Sequence, residues 1–364
     1  MYSTGSEAMP RKKQVTLQTI ADELGLTIHT VSKALRGLPG MSETTRKLVA
    51  GRARELGYRT KEQEEGIAAE RIPWAYTKPH RFAMLIIGDT NFHRLQLEGV
   101  QLRLNELGHS LYPLIVPGNL SEGAEFRAWL EQNELFFADG LFLTAAIPEW
   151  MEAALLKLPL PKVLINYPPV LAEVDSVIWD VEYAVHRSME ELYRHGHRRI
   201  LYVVDIAPLR GFHLRWNAFT AAAERLGLAG LADPGMHVTS DAADRALWME
   251  DLGRKLGSGS YTAVISAVPR MAEWVSAAAA ALGLNIPEQL SLVGMENEEN
   301  PYFPGMSRPL LLVREAGERA AELMLRRMAN PLLPYEHVRL RGSFYAGNTI
   351  RTLLPTSHNA NASG

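Results

Sequence analysis

One stretch near the N-terminus, residues 15–58, constrains the fold more than any other part of the chain. Its first apolar residues recur at the i, i+3, i+4, i+7 spacing of a single buried helix face. Thr16 can cap this helix at its start. Gly25 follows its end, where a left-handed backbone is easily adopted only by glycine. The pattern predicts a short helix followed by a tight turn, with these residues buried: Leu17, Ile20, Ala21 and Leu24.

Two more helices follow the turn. Thr27 opens the second helix, and Ser42, a good N-cap, opens a third that ends at Gly57. The second helix would bury Val31, Ala34 and Leu35 and leave an outward face of these residues: Ile28, His29, Ser32, Lys33 and Arg36. A helix, a glycine turn and a second helix form the helix-turn-helix unit, whose second helix lies in the DNA major groove. The alternative is an ordinary three-helix domain with a solvated face.

The charge distribution favours DNA binding. Residues 1–60 contain ten Lys or Arg and five Asp or Glu, a net charge of +5, whereas the whole chain carries −3 and residues 61–364 therefore carry −8. A basic head on an acidic body is suited to phosphate contact by the head alone.

The rest of the chain alternates buried strands with helices. Short apolar runs such as FAMLIIG, DGLFLTA, RILYVVD and TAVISAV are separated by amphipathic segments such as VEYAVHRSMEELYRHG. This alternation predicts parallel sheets, and about 270 residues of it exceed one small sheet, so two doubly wound lobes are expected. The domains are predicted as a head at 11–60, a linker at 61–79, a core at 80–355 and a flexible tail at 356–364.

Several classes of protein are disfavoured by composition. The chain has no cysteine, which excludes a disulfide framework and a thiolate metal site. It shows neither an export signal nor a run of eighteen apolar residues, so a cytoplasmic protein without a membrane partner is expected.

The head closely resembles the DNA-binding head of the LacI/GalR family of bacterial transcription regulators. The resemblance rests on these residues: Val15-Thr16-Leu17, Ile20-Ala21, Gly25, Thr30-Val31-Ser32, Ala34-Leu35, Gly37, Pro39-Gly40, Ser42-Glu43, Thr45-Arg46 and Glu55-Leu56-Gly57-Tyr58. Further along, the core resembles the same family through Gly196-His197-Arg198-Arg199-Ile200 and Ser291-Leu292-Val293-Gly294.

The resemblance implies an all-α helix-turn-helix head on an α/β core of two lobes like those of periplasmic binding proteins. The chain would cross between lobes three times, near Ser176, Val313 and Gly342. The N-lobe would then comprise residues 80–176 and 314–341, and the C-lobe residues 177–313 and 342–355. A ligand is expected in the cleft, at the carboxyl ends of the strands.

By the same resemblance, Ile28, His29 and Lys33 would read base edges. Phosphate contacts would come from these hydroxyls: Thr16, Thr27, Ser32 and Ser42. Ile67 falls at the register of a leucine that the family inserts into the minor groove. The surrounding segment departs from the family pattern, with acidic Glu64 where a small residue is usual, so the alternative there is a solvated linker helix.

The resemblance also implies effector contacts: Asn91, Phe92, Asn166, Trp179, Asp180, Arg215 and Glu296. The fork of Arg215 suits a sugar hydroxyl or a carboxylate. Val268-Pro269 stands where the family has Asn-Asp, which removes two polar groups from the cleft. For each residue the alternative is a structural role.

No phosphate-loop, dinucleotide-binding, zinc-protease or nucleophile-elbow motif occurs, so no enzyme and no cofactor are expected. His195 and His197 are disfavoured as metal ligands because Arg198 and Arg199 would repel a cation. We therefore expect a transcriptional regulator, acting as a repressor, that binds an operator as a homodimer and takes a sugar-like effector. Two alternatives stay open: a solute-binding protein that has lost DNA regulation, and an enzyme on an α/β scaffold.

Overall fold

A computed structural model describes residues 15–36, 38, 40–56, 58, 78–88, 90–204, 209–239, 245–301 and 303–353. Ile67, and with it the predicted minor-groove contact, lies outside the described residues. The N-terminal region is helical and the remainder contains parallel sheets, which confirms the predicted fold class.

The head contains three helices: α1 (Leu17–Leu24), α2 (Ile28–Leu35) and α3 (Glu43–Leu56). The Thr16 side chain accepts a hydrogen bond from the backbone N–H of Thr19, and Gly25 closes α1 in the left-handed conformation at φ 64°. Thr27 caps α2 in the same way by accepting from the N–H of Thr30. The short polar caps and the glycine thus fix where α1 ends and α2 begins.

The three helices enclose a small apolar core, whose buried members are Ile20, Ala21, Val31, Ala34, Val49 and Ala53. Leu332, from the second half of the chain, packs against the same core. The predicted buried face of α2 is confirmed for Val31 and Ala34, while Leu35 is partly buried.

The first sheet has six parallel strands: β1 (Arg81–Ile86), β2 (Ser110–Ile115), β3 (Gly140–Leu143), β4 (Lys162–Leu164), β5 (Asp175–Trp179) and β10 (His337–Leu340). Their spatial order is β10-β5-β4-β3-β1-β2. The order reverses between β1 and β3, and such a switch point leaves a crevice at the carboxyl ends of the strands.

Helices cover both faces of this sheet. One face is covered by α4 (Asn91–Glu106) and α11 (Val313–Ala329), the other by α5 (Ala124–Gln132) and α6 (Glu149–Leu156). A Cβ added at Gly99 of α4 would lie 2.0 Å from the carbonyl oxygen of Arg314, and one at Gly317 of α11 would lie 2.3 Å from that of Gln96. The backbones of α4 and α11 therefore touch, and only glycine allows this approach.

The second sheet has three parallel strands, β6 (Ile200–Val203), β7 (Ala263–Ser266) and β8 (Ser291–Gly294). Its helices are α7 (Val181–Arg194), α8 (Arg210–Arg225), α9 (Arg245–Gly257) and α10 (Met271–Ala281). An antiparallel pair, β9 (Arg308–Pro309) with β11 (Phe344–Tyr345), and short 3-10 turns at Leu135–Phe137, Ala229–Ala232 and Pro234–Met236 complete the described elements.

The first of the expected passages between the sheets, near Ser176, falls at β5. This strand stays paired with β10 up to the pair Trp179 and Leu340. The run Val177-Ile178-Trp179 is apolar, and the next polar residue in the sequence is Asp180. The chain then enters α7 directly at Val181, so Trp179 belongs to the first sheet.

A buried apolar cluster, here called the central cluster, joins the two sheets. From the first sheet and its helices come Leu95, Tyr167 and Trp179, and from the second come Phe219 and Val293, among others. Two of the residues predicted for the effector site, Trp179 and Phe92, belong to this cluster or pack against it.

Candidate functional site

The open face of α2 carries the side chains expected to read DNA. Ile28 is 44% exposed, although it is apolar, and His29 and Arg36 are also exposed. Ser32 and Lys33 are partly buried. The amine of Lys33 lies beside Gly40, since a Cβ added there would be 2.9 Å from Lys33 Nζ.

The hydroxyls expected at phosphates occupy helix N-termini. Thr16 and Thr27 cap α1 and α2, and Ser42 Oγ accepts from the Thr45 N–H at 3.1 Å. A helix N-terminus directs backbone N–H groups and a positive dipole outward, which attracts phosphate. The caps thus have a structural role that is compatible with the predicted one.

Arg215 is the most unusual side chain of the core. It lies on α8 with 7% of its surface exposed, and its Nε and Nη1 have no hydrogen-bond partner in the described part of the chain. Its guanidinium lies between two aromatic rings, 5.0 Å from the Trp179 centroid and 4.9 Å from that of Phe212. Burial lowers the pKa of Arg215 to about 10, and the groups that oppose this are the phenols of Tyr202 and Tyr167. Arg215 is a buried cation without a counter-charge.

Trp179 supplies a second unpaired donor at the same place. It is 3% exposed, and its indole N–H also has no partner among the described residues. The nearby hydroxyls are already used: that of Tyr167 donates to the Trp179 carbonyl at 3.3 Å and accepts from Val181, and that of Tyr202 donates to the Arg215 carbonyl at 3.3 Å. Arg215 and Trp179, two of the predicted effector residues, are therefore brought together.

Three other predicted residues lie elsewhere or have local partners. Asp180 caps α7 by accepting from the Tyr183 N–H at 3.0 Å, and it pairs with Arg341 at 2.9 Å. Asn166 is half-buried two residues after β4, and Phe92 packs against the central cluster. The carboxylate of Asp180 thus already has structural partners.

Glu296 follows β8 and is 6% exposed. Both of its oxygens accept from the backbone N–H of Arg270, at 2.9 and 3.1 Å, and this contact helps to fix the start of α10. Burial raises the pKa of Glu296 to about 7, and Glu273 adds to the effect. In the described part of the chain, Glu296 binds the Arg270 backbone and does not pair with Nε or Nη1 of Arg215.

A polar clamp links the first and second sheets on one side. Arg210, the first residue of α8, binds both oxygens of Glu152 on α6 at 2.9 and 2.7 Å. Its Nε also donates to the Tyr167 carbonyl at 3.0 Å. Glu152 is 2% exposed, so this bidentate pair is largely shielded from solvent on its acidic side.

A second polar link involves Asn91, which was predicted as an effector contact. Its amide donates to Glu298 at 2.9 Å, and Arg94 donates to the same carboxylate at 3.3 Å. Arg314 of α11 lies 3.7 Å from Glu298 and 2.9 Å from Glu98. Asn91 and Arg94 belong to α4, whereas Glu298 follows β8, so this network also joins the two parts of the core.

Sequence reasoning missed Phe212, Tyr167 and the partners in both links. Phe212 lies three residues before Arg215 on α8, and this i, i+3 spacing is the one signal that was available. The partners of the links, such as Glu152 and Arg210, are far apart in sequence and leave no local pattern.

The two histidines considered for metal binding have other roles. The ring nitrogens of His197 contact the Thr262 hydroxyl at 2.9 Å and the Arg351 carbonyl at 3.0 Å, and burial lowers its pKa to about 4. His195 Nδ1 lies 2.8 Å from the Thr352 hydroxyl. In the part of the chain that the structure describes, no helix combines the length and apolarity needed to cross a membrane.

Known proteins share this organisation. The profile of one family, described as a periplasmic binding protein-like domain, matches residues 189–350. The HTH-type transcriptional repressor PurR of Aliivibrio salmonicida (strain LFI1238) is 24% identical over 327 residues, covering 86% of this chain and 92% of the relative. The catabolite control protein A of Priestia megaterium is 24% identical over 78% of this chain and 82% of its own length.

Among solved structures, the transcriptional regulator CelR in complex with cellobiose aligns with a TM-score of 0.63 at 19% identity, covering 92% of this chain and all of that one. The lac repressor dimer bound to operator and an anti-inducer aligns at 0.62 and 18% identity, over 93% and 100%. The helix-turn-helix of the head, the two parallel sheets and repressor relatives that extend over most of the chain lead to one conclusion: the protein is a DNA-binding regulator of transcription that is similar over most of its length to repressors of the LacI/GalR family.

Proposed function

We propose that this regulator is a repressor whose affinity for an operator is controlled by a small molecule bound in the central cluster beside Arg215. The observation that carries the proposal is the open face of α2 on a basic head, joined to a core with unpaired donors at the junction of its two sheets. The related CelR was solved with cellobiose, and the family resemblance favours a carbohydrate or a carbohydrate derivative for this chain as well.

The proposed division of the core follows its sheets. The N-lobe comprises residues 80–179 and 313–341, and the C-lobe comprises residues 180–312 and 342–355, with residues 61–79 as the linker to the head. Two heads are needed to read a two-fold operator, and the related lac repressor was solved as a dimer on its operator. We therefore propose that this chain acts as a homodimer in the bacterial cytoplasm.

An effector acts by binding one arrangement of the lobes more tightly than another. The links Arg210–Glu152 and Asn91–Glu298 both connect the N-lobe to the C-lobe, so their strength is part of this equilibrium. A ligand that accepts hydrogen bonds from both Arg215 and the Trp179 indole would contact a C-lobe helix and the last residue of an N-lobe strand at once. Such a ligand stabilises the arrangement in which both contacts are made.

The experiment that tests the DNA-binding part begins by selecting operators from a random duplex pool with the intact chain. Lys33→Ala should then lose about tenfold or more in affinity for the selected site, because one base contact contributes about 1–3 kcal/mol, and less in affinity for random DNA. Lys47→Ala is the matched control, since Lys47 is 78% exposed on α3, outside the recognition helix. Failure of the intact chain to enrich any sequence would refute the proposal.

A further inference from the structure

The partners of the arginines in the core differ sharply. Arg327 donates all of its guanidinium hydrogens: two bonds go to Asp175, at 2.6 and 3.0 Å, and three go to the carbonyls of Pro331, Leu333 and Pro334. Arg210 has a carboxylate and a carbonyl. Arg215, which is buried as deeply as Arg327, has neither for its Nε and Nη1.

The unpaired groups around Arg215 are all donors. Nε and Nη1 of Arg215 and the indole N–H of Trp179 lack partners among the described residues. The adjacent phenols of Tyr167 and Tyr202 already donate to backbone carbonyls. A buried charge without a partner is strongly unfavourable, and a guanidinium does not lose its proton at physiological pH. The missing partner must therefore bring acceptors, and a partner with a negative charge would also neutralise the buried cation.

The surroundings offer little to a neutral polyhydroxyl ligand. Val268 packs against the central cluster and also against the apolar cluster beneath α9 and α10. The central cluster further includes Leu95, Met295 and Leu311. A sugar ring with several hydroxyls needs both donors and acceptors, and these side chains supply neither.

We propose that the effector is a small organic anion whose carboxylate or phosphate accepts hydrogen bonds from Arg215 and from the Trp179 indole. This inference rests on the proposed function, because it assigns a chemical class to the ligand of the same site. The fork of Arg215 presents two parallel N–H groups, a geometry that matches either anion bidentately. The rings of Trp179 and Phe212 hold the guanidinium in place before the ligand arrives, which reduces the loss of side-chain entropy on binding.

The test uses the intact chain and matched pairs of probes, read by calorimetry and by thermal stabilisation at constant ionic strength. The pairs are glucose against glucuronate and glucose 6-phosphate, and inosine against inosine 5′-phosphate, with inorganic phosphate as the simplest anion. We expect an anionic member to bind about 100-fold more tightly than its neutral partner, the ratio expected for two charge-assisted hydrogen bonds. Comparison of glucuronate with the phosphates distinguishes a carboxylate ligand from a phosphate ligand.

Three variants complete the design. Arg215→Met should abolish the preference for the anion, Arg215→Lys should keep the charge but lose the bidentate fork and bind more weakly, and Arg254→Met should bind as the wild type does. Arg254 is the matched control because its side chain is 72% exposed on α9.

If a neutral probe binds as tightly as the anionic member of its pair, and its binding depends on Arg215, the proposal that the effector is an anion is wrong. That result would still support an effector site in the central cluster. Anions that stabilise the wild type no more than Arg215→Met also overturn it. Operator selection, measured on the same protein, reports separately on the proposed function, so failure of one is distinguishable from failure of the other.

Discussion

Replacement of Arg215 by methionine should make the ligand-free protein more stable, although it removes a buried side chain. Methionine is unbranched and of similar length, so it can pack between Trp179 and Phe212 without the charge. This prediction opposes the usual effect of a substitution in a core, which is destabilising. It follows from the absence of a partner for the guanidinium within the described residues.

The magnitude can be worked out from the burial of Arg215. Burial lowers its pKa from the ordinary value to about 10, and at 1.36 kcal/mol per pKa unit the fold disfavours the charged form by roughly 3 kcal/mol. The two cation–π contacts offset about 1–2 kcal/mol of this. The net gain for Arg215→Met is therefore about 1–2 kcal/mol, which raises the melting temperature by roughly 2–8 °C.

The pH dependence of the gain provides a second check. Because the pKa of Arg215 is lower in the folded state, the penalty is fully present below about pH 10 and is relieved only above that value. The gain should therefore be equal across the neutral range. Thermal unfolding of both proteins, followed by circular dichroism at several pH values, measures it. A variant less stable than the wild type by 1 kcal/mol or more would refute the view that Arg215 is an uncompensated charge.

Three further perturbations follow from the structure. A double-mutant cycle with Glu152→Gln and Arg210→Gln, measured by chemical unfolding, should give a coupling energy of about 1–2 kcal/mol. This is less than expected for a fully buried pair, because Arg210 is partly exposed. A coupling energy near zero would mean that the clamp does not contribute to stability. The raised pKa of Glu296 means that the fold disfavours its charged form. As the pH falls from about 7 to 4.5, the free energy of unfolding of the wild type should therefore rise by roughly 3 kcal/mol relative to that of Glu296→Gln. A difference between the two proteins that stays constant with pH would contradict this. Gly317→Ala should lower the free energy of unfolding by at least about 2 kcal/mol. The control Gly253→Ala should raise it by about 0.5–1 kcal/mol, because Gly253 lies on a helix and an added Cβ there meets open space. Equal effects of the two substitutions would exclude a close contact between α4 and α11.

The head could be predicted from its sequence because its determinants are local. Thr16 caps a helix that starts at the next residue, and Gly25 ends that helix. Most buried strands of both sheets could also be predicted, since strands such as β1, β3, β6 and β7 are short apolar runs. By contrast, β10 has the burial pattern of a half-exposed strand, and it becomes a strand only by pairing with β5, some 160 residues earlier in the chain. Its sequence therefore carries no comparable signal.

The candidate site could be predicted only in part, for the same reason. Arg215 and Trp179 come together as the resemblance implies. Asn91 instead binds Glu298 across 207 positions, and Asp180 binds Arg341 across 161. A polar residue near a cleft has several partners available in the folded chain, and the spacing of residues along the sequence does not indicate which one it takes.

The close approach of Gly99 to the Arg314 carbonyl, and of Gly317 to the Gln96 carbonyl, has a mechanical consequence. It joins α4, near the beginning of the core, to α11, which the chain reaches only after passing through the second sheet. Because α4 and α11 meet through their backbones and not through a layer of side chains, we expect the two helices to move together as one rigid unit. Glu298 holds Asn91 and Arg94 on one helix and lies close to Arg314 on the other. A displacement of the Glu298 carboxylate would therefore act on both helices. Through them it would act on the face of the first sheet that they cover.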